Sequence, residues 1–281
     1  MTPAPHLKHL SVANDGSKQG MVGPTGVDAS PVTWPDNCFI GTSGWAYSTW
    51  KPGFYPAKHS PKKFLEYYAT RLNSVEVNYT FRQLPSAAMV ESWLAATGEN
   101  FRFSFKTPQR VTHFQKLKDC GGIMSSFSSA FNRVIDGGRM GIVLVQLPPT
   151  FKADPAQLDR FLDETHVACD APAMRMAIEF RNRSWFTDET FEIMRRHQVA
   201  LCVAESDDLQ TPDVVTAPFS CYRLRRSGYQ PADLEAIACK LGQRARQGDV
   251  FAYFKHEDEP TGALSAEHVL RSLSLPQNKV T

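Results

Sequence analysis

Residues 174–181 read MRMAIEFR, a run in which Met176, Ile178 and Phe180 alternate with Ala177 and with charged residues. Successive side chains of a β-strand point to opposite faces, so this run predicts a strand with one apolar face and one face that carries charge. Helices can cover the apolar face. The charged face needs a polar enclosure, because a buried charge is tolerated only when it is paired, hydrogen-bonded or close to solvent.

Seven further runs of β character precede and follow this one, and most are bounded by turn or polar residues. The eight predicted strands are Cys38–Trp45, Ser74–Thr80, Phe101–Thr107, Gly141–Leu147, Met174–Arg181, Ala200–Ser206, Ser220–Arg225 and Val250–His256. Apolar residues at three- and four-residue spacing predict helices after seven of them. These helices are Pro61–Leu72, Ser86–Thr97, Ile123–Val134, Pro155–Thr165, Glu189–Gln198, Pro231–Gln247 and Ser265–Leu273. The segment Asp207–Pro218 shows no helical pattern.

The alternation of strands and helices predicts an α/β fold, a single-domain (β/α)8 TIM barrel over residues 37–276. Eight parallel strands with right-handed crossovers close into a cylinder that the helices surround. An open doubly wound sheet is the alternative, but no GxGxxG follows the first strand and no GxxxxGK[ST] occurs anywhere. Residues 1–36 contain few large apolar side chains and are expected to form a flexible extension, and residues 277–281 a short tail.

The composition excludes several other classes of protein. The chain has 281 residues, a formal net charge of +2 and 42% hydrophobic residues, which is typical of a globular protein with a large core. No stretch approaches the roughly 20 apolar residues that span a bilayer, and no secretory signal is recognisable, so we expect a cytoplasmic protein with no membrane partner. Six cysteines without a CxxC pair argue against a zinc knuckle and against a disulfide framework.

Polar residues recur on the predicted inner face of several strands, near their carboxyl-terminal ends. In barrel enzymes the reactive groups lie at these ends, so we expect a single polar pocket there. The residues that the strand pattern places there are Glu76, Asn78, Lys106, Gln146, Glu179, Arg181, Glu205, Arg223, Arg225 and Lys255, with Trp45, Tyr47, Trp50 and His113 in the adjoining loops.

An ordered series of motifs gives the chain a family resemblance. They are GTSGWAYSTW (41–50), FYP (54–56), SVEVNYTF (74–81), FSFKTP (103–108), VQLPPTF (145–151), AIEFRNRSWF (177–186) and YRLR (222–225). With these motifs the chain resembles the YecE-like family, DUF 72. The resemblance implies a TIM barrel related in shape to xylose-isomerase-like and endonuclease IV barrels, with no established reaction. It implies a polar pocket of Ser43, Trp45, Tyr47, Glu76, Asn78, Lys106, Gln146, Glu179, Arg181, Trp185 and Arg223.

These residue types suit a hydrolase or lyase that acts on a phosphorylated or nucleotide-like substrate. Glu76 or Glu179 would act as general base, and Lys106 would help to hold an anionic group where charge develops. Arginine presents a planar fork to phosphate, so Arg181 and Arg223 would clamp such a group. Ser43, Trp45, Tyr47, Asn78, Gln146 and Trp185 would complete the substrate site.

Two alternatives remain open from the sequence. The chain could be a non-catalytic protein that binds nucleic acid or a small anionic ligand, with the aromatic loop stacking on bases. Alternatively, Glu76, Glu179, Arg181 and Arg223 could form a structural ion network; if they do not, truncating Arg181 or Arg223 should spare the melting temperature. No HxH, HxxxH or HExxH spacing occurs, so we expect no tightly bound catalytic metal, and the cofactor and oligomeric state stay undetermined.

Overall fold

The eight strands close into a parallel barrel in which each strand pairs with its neighbours in sequence and β8 pairs with β1. The computed structural model describes residues 35–169, 174–205, 209–255 and 259–274. The strands are β1 (Cys38–Thr42), β2 (Ser74–Val77), β3 (Arg102–Lys106), β4 (Met140–Gln146), β5 (Met176–Glu179), β6 (Ala200–Ala204), β7 (Ser220–Leu224) and β8 (Val250–Phe254). The predicted TIM barrel is therefore confirmed. All but two residues of the predicted 1–36 extension, and the whole 277–281 tail, lie outside the described residues.

The helices follow the strands as predicted, and most differ from the prediction only at their ends. The helix predicted over Pro61–Leu72 is shorter, a 3₁₀ turn at Pro61–Lys63 followed by five α-helical residues. They are α1 (Phe64–Tyr68), α2 (Ala87–Ala95), α3 (Gly121–Ala130), α4 (Asn132–Asp136), α5 (Pro155–Cys169), α6 (Asp188–Arg196), α7 (Pro231–Ala245) and α8 (Thr261–Ser274). The helix predicted over Ile123–Val134 is divided at Phe131, whose φ of −115° leaves the helical region. The ring of Phe131 is buried and stacks on Phe105 of β3, so packing on the barrel accompanies the break.

The two faces of the strands pack against different parts of the protein. Outward side chains such as Val75 and Ile178 are buried against the helices. The lower, amino-terminal half of the lumen is filled by a second apolar cluster, in which Phe39 and Phe251 stack with ring centroids 4.8 Å apart. Above it, the hydroxyl of Tyr253 is hydrogen-bonded to Ser74 and Ser104. The guanidinium groups of Arg102 and Arg175 lie over the rings of Phe39 and Phe251 at the amino-terminal end of this cluster, and the carboxyl-terminal end of the lumen is left for the buried charged groups.

The crossover from β6 to β7 differs from the others. Residues 209–219 contain no helix, as predicted, while Ser206, Asp207 and Asp208 lie outside the described residues. A cavity of about 1040 Å³ therefore lies outside the barrel, lined in part by Val203, Tyr222 and Ile237. Among the described residues no helix has the length and apolar character to cross a membrane.

Candidate functional site

Arg223 of β7 lies at the centre of the upper lumen, between two carboxylates from distant strands. Its Nη2 donates to Oε1 of Glu76 over 2.7 Å, and its Nη1 donates to Oε2 of Glu179. These three side chains are at most 2% exposed. Oε1 of Glu76 also accepts a hydrogen bond of 2.9 Å from the hydroxyl of Ser43. The structure thus contains the ion network that the sequence left open as an alternative, with Arg223 as its hub.

The network continues across the lumen to Lys106. Gln146 Nε2 donates to Glu179 Oε1 over 2.9 Å, and Gln146 Oε1 accepts from Lys106 Nζ over 2.7 Å. The ammonium of Lys106 also lies 4.1 Å from the ring centroid of Phe81, a cation–π distance. Five predicted residues, Ser43, Glu76, Lys106, Gln146 and Glu179, are therefore joined to Arg223 by one chain of contacts.

Three arginines line an opening beside this network. A cavity of about 430 Å³ is bounded by Glu179, Arg181, Arg183, Arg225 and by other residues at the ends of β5 and β6. Arg181 Nε lies 3.7 Å from Glu179 Oε1, and its side chain is 41% exposed. Arg225 is half-buried, and its Nε is buried without a hydrogen-bond partner among the described residues. This opening is the accessible, cationic part of the site.

The charges of the site shift the pKa values of its members. Burial lowers the pKa of Lys106 to about 8, assisted by the charge of Arg223. Burial alone would raise the pKa of Glu179, but the charges of Arg223 and Arg225 hold it below its usual range. Burial, then Lys106 and Arg181, lower the pKa of His113. Lys106 is thus close to its titration point near neutral pH, whereas Glu179 is held ionised.

Only some of the residues predicted in and near the loop after β1 lie at the network. The hydroxyl of Tyr47 donates to the carbonyl of Ser43, and burial beside Glu76 raises its pKa to about 12, so Tyr47 borders the network. Asn78, at the end of β2, has a buried Oδ1 without a partner among the described residues. Trp45 instead packs edge-on against Trp93 of α2, with ring centroids 5.8 Å apart, on the helix side of the barrel wall.

The structure also places other predicted residues away from the network. Trp185 is fully buried, stacks on Phe180 and donates from Nε1 to the carbonyl of Phe151, so its ring has no surface for a ligand. Trp50 is likewise buried. Glu205 follows the inward-facing Ala204, points to the outer cavity and accepts a hydrogen bond from Tyr229. His256, the last residue of the predicted eighth strand, lies outside the described residues.

The sequence did not predict three residues that line the opening, or one aromatic residue that covers Lys106. Arg183 and Asn182 lie just beyond β5, and Thr211 comes from the irregular crossover to β7. Phe81 follows β2 by four residues and covers Lys106. The available signal for the first two was their position directly after the predicted strand that ends at Arg181. Thr211 carries no such signal, because its loop has no regular pattern.

The comparisons with known proteins agree on one family. The family model described as "Protein of unknown function DUF72" matches residues 39–281. The UPF0759 protein YunF of Bacillus subtilis (strain 168) is 28% identical over 158 residues, 55% of this chain and 54% of YunF. The UPF0759 protein YecE of Escherichia coli (strain K12) is 32% identical over 114 residues, 40% of this chain and 38% of YecE. The matches therefore span about half or less of these relatives.

Solved structures share the fold over most of the chain. The crystal structure of a DUF72 family protein from Thermotoga maritima has a TM-score of 0.70 at 25% identity and covers 85% of this chain and 99% of that one. A sugar phosphate isomerase/epimerase from Parabacteroides distasonis has a TM-score of 0.50 at 10% identity and covers 88% of this chain and 94% of that one. At that identity the second likeness shows the fold alone.

Proposed function

This chain belongs to the DUF72 family, and we propose that it is a hydrolase or lyase that binds a small phosphorylated substrate at the carboxyl-terminal mouth of its barrel. The observation that carries the proposal is an excess of positive charge at the mouth. Among the described residues of the network, the cations Lys106, Arg181, Arg223 and Arg225 face two carboxylates, those of Glu76 and Glu179. An anion in the opening would compensate this excess in a partly desolvated place, where electrostatic attraction is stronger than in water.

The opening has the size and donors for such a group. Its volume of about 430 Å³ lies within the range of small-molecule sites. Arg181, Arg183 and Arg225 line it, and arginine binds phosphate oxygens through paired N–H donors. The buried Nε of Arg225, which lacks a partner among the described residues, is a donor that a phosphate oxygen would satisfy.

The chemistry is best supported at Lys106 and Glu76. An amine with a pKa of about 8 is partly neutral near pH 7.5, so Lys106 can accept a proton from a bound substrate. Glu179 is a poor base, because its pKa is lowered and its oxygens are bonded by Arg223 and Gln146. Its role is to hold those two side chains. Glu76 keeps one buried oxygen, Oε2, without a partner among the described residues, and a substrate hydroxyl that enters the upper lumen would donate to it.

Of the two reaction classes, a lyase fits these groups better. The amine of Lys106 can remove a proton next to a carbonyl group of the substrate, or it can form a Schiff base with that carbonyl group. The arginines would hold the phosphate of the substrate during either step. After proton removal, the electron pair expels a leaving group from the adjacent carbon, which breaks a carbon–oxygen bond. A Schiff base forms with release of water, and it accepts the electron pair of a neighbouring carbon–carbon bond as that bond breaks. Phosphorylated aldehydes and ketones are therefore the first substrates to test, before phosphate esters of nucleosides.

Binding of inorganic phosphate and of phosphorylated compounds, measured by calorimetry, tests the proposal. We expect R225Q to weaken binding at least about tenfold, since a hydrogen bond to a charged group is lost. The matched control R246Q removes an exposed arginine that follows α7, and it should bind as the wild type does. Equal binding of the neutral parent compounds, or no change in R225Q, would exclude the anion site.

One observation favours a second candidate, a non-catalytic protein that binds nucleic acid. Phe114 is 71% exposed at the end of the π-helical segment Arg110–Phe114 that follows β3, next to His113, whose pKa is lowered by burial and by the charge of Lys106 at the mouth. Exposed aromatic rings beside cations stack on unpaired bases. Oligonucleotide binding that falls steeply with salt, with no turnover of any phosphorylated compound, would favour this candidate over the enzyme.

A further inference from the structure

Helices α5 and α6 carry a group of metal-ligating side chains on the outside of the barrel. Asp159 and Asp163 are four residues apart on α5, which places them on one side of that helix. His197 follows α6 directly and is buried against them. One ligand atom from each of the three residues lies within 4.8 Å of the other two. This cluster shares no residue with the site at the barrel mouth.

The contacts of His197 show how close the three groups are to a coordination geometry. Its Nε2 lies 2.7 Å from Asp159 Oδ1 and 3.8 Å from Asp163 Oδ1. Zinc–nitrogen and zinc–oxygen bonds are about 2.0–2.2 Å long, so ligand atoms of one tetrahedral ion lie about 3.3–3.5 Å apart. Small side-chain rotations would bring the three atoms to that spacing. The ring of His166, with its centroid 5.3 Å from that of His197, packs on the imidazole and limits its rotation.

The cluster has negative charge that a bound cation could compensate. Asp159 and Asp163 carry two negative charges at close range, and the ion pair that the exposed guanidinium of Arg196 forms within the described part of the chain is with Asp159. The nearest basic group to Asp163 among the described residues is His197, at a distance longer than a hydrogen bond. The Asp163 side chain is 72% exposed and can move without disturbing the core. A divalent ion would neutralise both carboxylates and displace Arg196.

We propose that Asp159, Asp163 and His197 bind one divalent transition-metal ion between α5 and α6, in exchange for the ion pair of Arg196. One imidazole nitrogen and two carboxylate oxygens suit zinc, cobalt or nickel, whereas magnesium and calcium prefer oxygen alone. The nitrogen that binds the ion is the one that now contacts Asp159, so binding releases its proton when that nitrogen is protonated. The ion joins two helices that are otherwise held by packing and by these polar contacts.

The test uses the full chain after removal of metals by a chelator and gel filtration. Cobalt is titrated by visible absorption and zinc by calorimetry, with magnesium as the comparison ion. The informative variant is D163N, which alters an exposed side chain and leaves the His197–Asp159 contact in place. E192Q removes an exposed carboxylate of α6 outside the cluster and serves as the matched control. R196Q removes the competing cation.

We expect the wild type and E192Q to bind one equivalent of zinc that D163N binds at least about tenfold more weakly. R196Q should bind that equivalent more tightly than the wild type. Zinc should raise the melting temperature of the wild type and E192Q, but not that of D163N, and magnesium should raise none of them. If D163N and the wild type bound zinc equally tightly, or if neither bound zinc, the proposal would be overturned. The cluster would then be only a polar contact between the helices.

Discussion

Arg223 donates to Glu76 over 2.7 Å across the barrel, from β7 to β2, and both side chains are fully buried. The charge of Glu76 is therefore compensated only when the barrel is closed. Glu179, from β5, binds the same guanidinium on its other side. The network thus links three strands that are not neighbours, which gives Arg223 a structural role in addition to any role toward a ligand.

Replacing Arg223 with alanine should destabilise the protein strongly. Two carboxylates would stay buried without their shared cation, and breaking a buried pair in this way costs about 3–5 kcal/mol. The free energy of unfolding, measured by urea denaturation, checks this value. This expectation replaces the one drawn from the sequence, that truncation of Arg223 would spare the melting temperature.

The control is R181A, because the Arg181 side chain is 41% exposed and lies 3.7 Å from Glu179. Because Arg181 is partly exposed to solvent and its 3.7 Å contact with the buried Glu179 is longer than a hydrogen bond, we expect it to contribute about 0–1 kcal/mol, so R181A should unfold nearly as the wild type does. R181A should still weaken phosphate binding. If R223A and R181A had equal stability, the structural role of Arg223 would be refuted.

The stability of the protein should depend on the ionisation of Glu179 at acid pH. Its folded pKa lies below its ordinary value of 4.5, because Arg223 and Arg225 outweigh the effect of burial. A carboxylate of this kind stabilises the native state above its unfolded pKa, and the contribution is lost as the pH falls through the folded pKa. We therefore expect E179Q to be less stable than the wild type near neutral pH, and the two curves to converge below about pH 4.5.

Urea denaturation at a series of pH values measures this convergence. E192Q, which changes an exposed carboxylate of α6, should give a curve parallel to that of the wild type. If the free energies of unfolding of E179Q and the wild type differed by the same amount over the whole pH range, the pKa of Glu179 would be the same in the folded and unfolded states.

The fold was predictable because strand and helix periods are local features of the sequence. MRMAIEFR alternates over its whole length, and the structure buries Met176 and Ile178 against helices while Glu179 faces the lumen. The strand ends were less predictable. Glu205 was assigned to the inner face although Ala204 faces the lumen, because the pattern of ALCVAES does not identify which alternate residues face inward.

The pairing within the site could not be read from the sequence. Glu76 and Arg223 are 147 positions apart, and their contact exists only through closure of the barrel. Trp185 was assigned to the site because of the family motif. In the structure its indole stacks on Phe180 and donates a hydrogen bond to the carbonyl of Phe151. Thr211 and Arg183 reach the opening from loops whose course no periodicity predicts.

Phosphate affinity should fall as the pH rises through about 8. Burial, together with Arg223, lowers the pKa of Lys106 to about 8, and only its protonated form attracts an anion. The second pKa of a phosphate monoester is about 6, so with such a ligand only groups of the protein still titrate above about pH 7.5. Calorimetric titration between about pH 7.5 and pH 9.5 measures the dependence.

K106Q should bind phosphate weakly at every pH, with a flat profile. K58Q, which replaces an exposed lysine that neither joins the network nor lines the opening, should keep the wild-type profile. A profile in K106Q that still falls near pH 8 would assign the titration to another group, and Lys106 would lose its proposed role as the proton-transfer group.

W185F and Y47F should separate packing from ligand binding. Trp185 is fully buried and donates to the carbonyl of Phe151, so phenylalanine leaves a buried acceptor without its partner and a smaller ring in the same space. We expect a loss of about 1–3 kcal/mol in the free energy of unfolding and unchanged affinity for phosphate. Tyr47 borders the network through its hydroxyl, so Y47F should have the opposite effect, with a smaller loss of stability and a measurable change in affinity. Urea denaturation measures the free energy of unfolding of both variants, and calorimetry measures their affinity for phosphate. If W185F had wild-type stability and reduced phosphate affinity, Trp185 would belong to the substrate site.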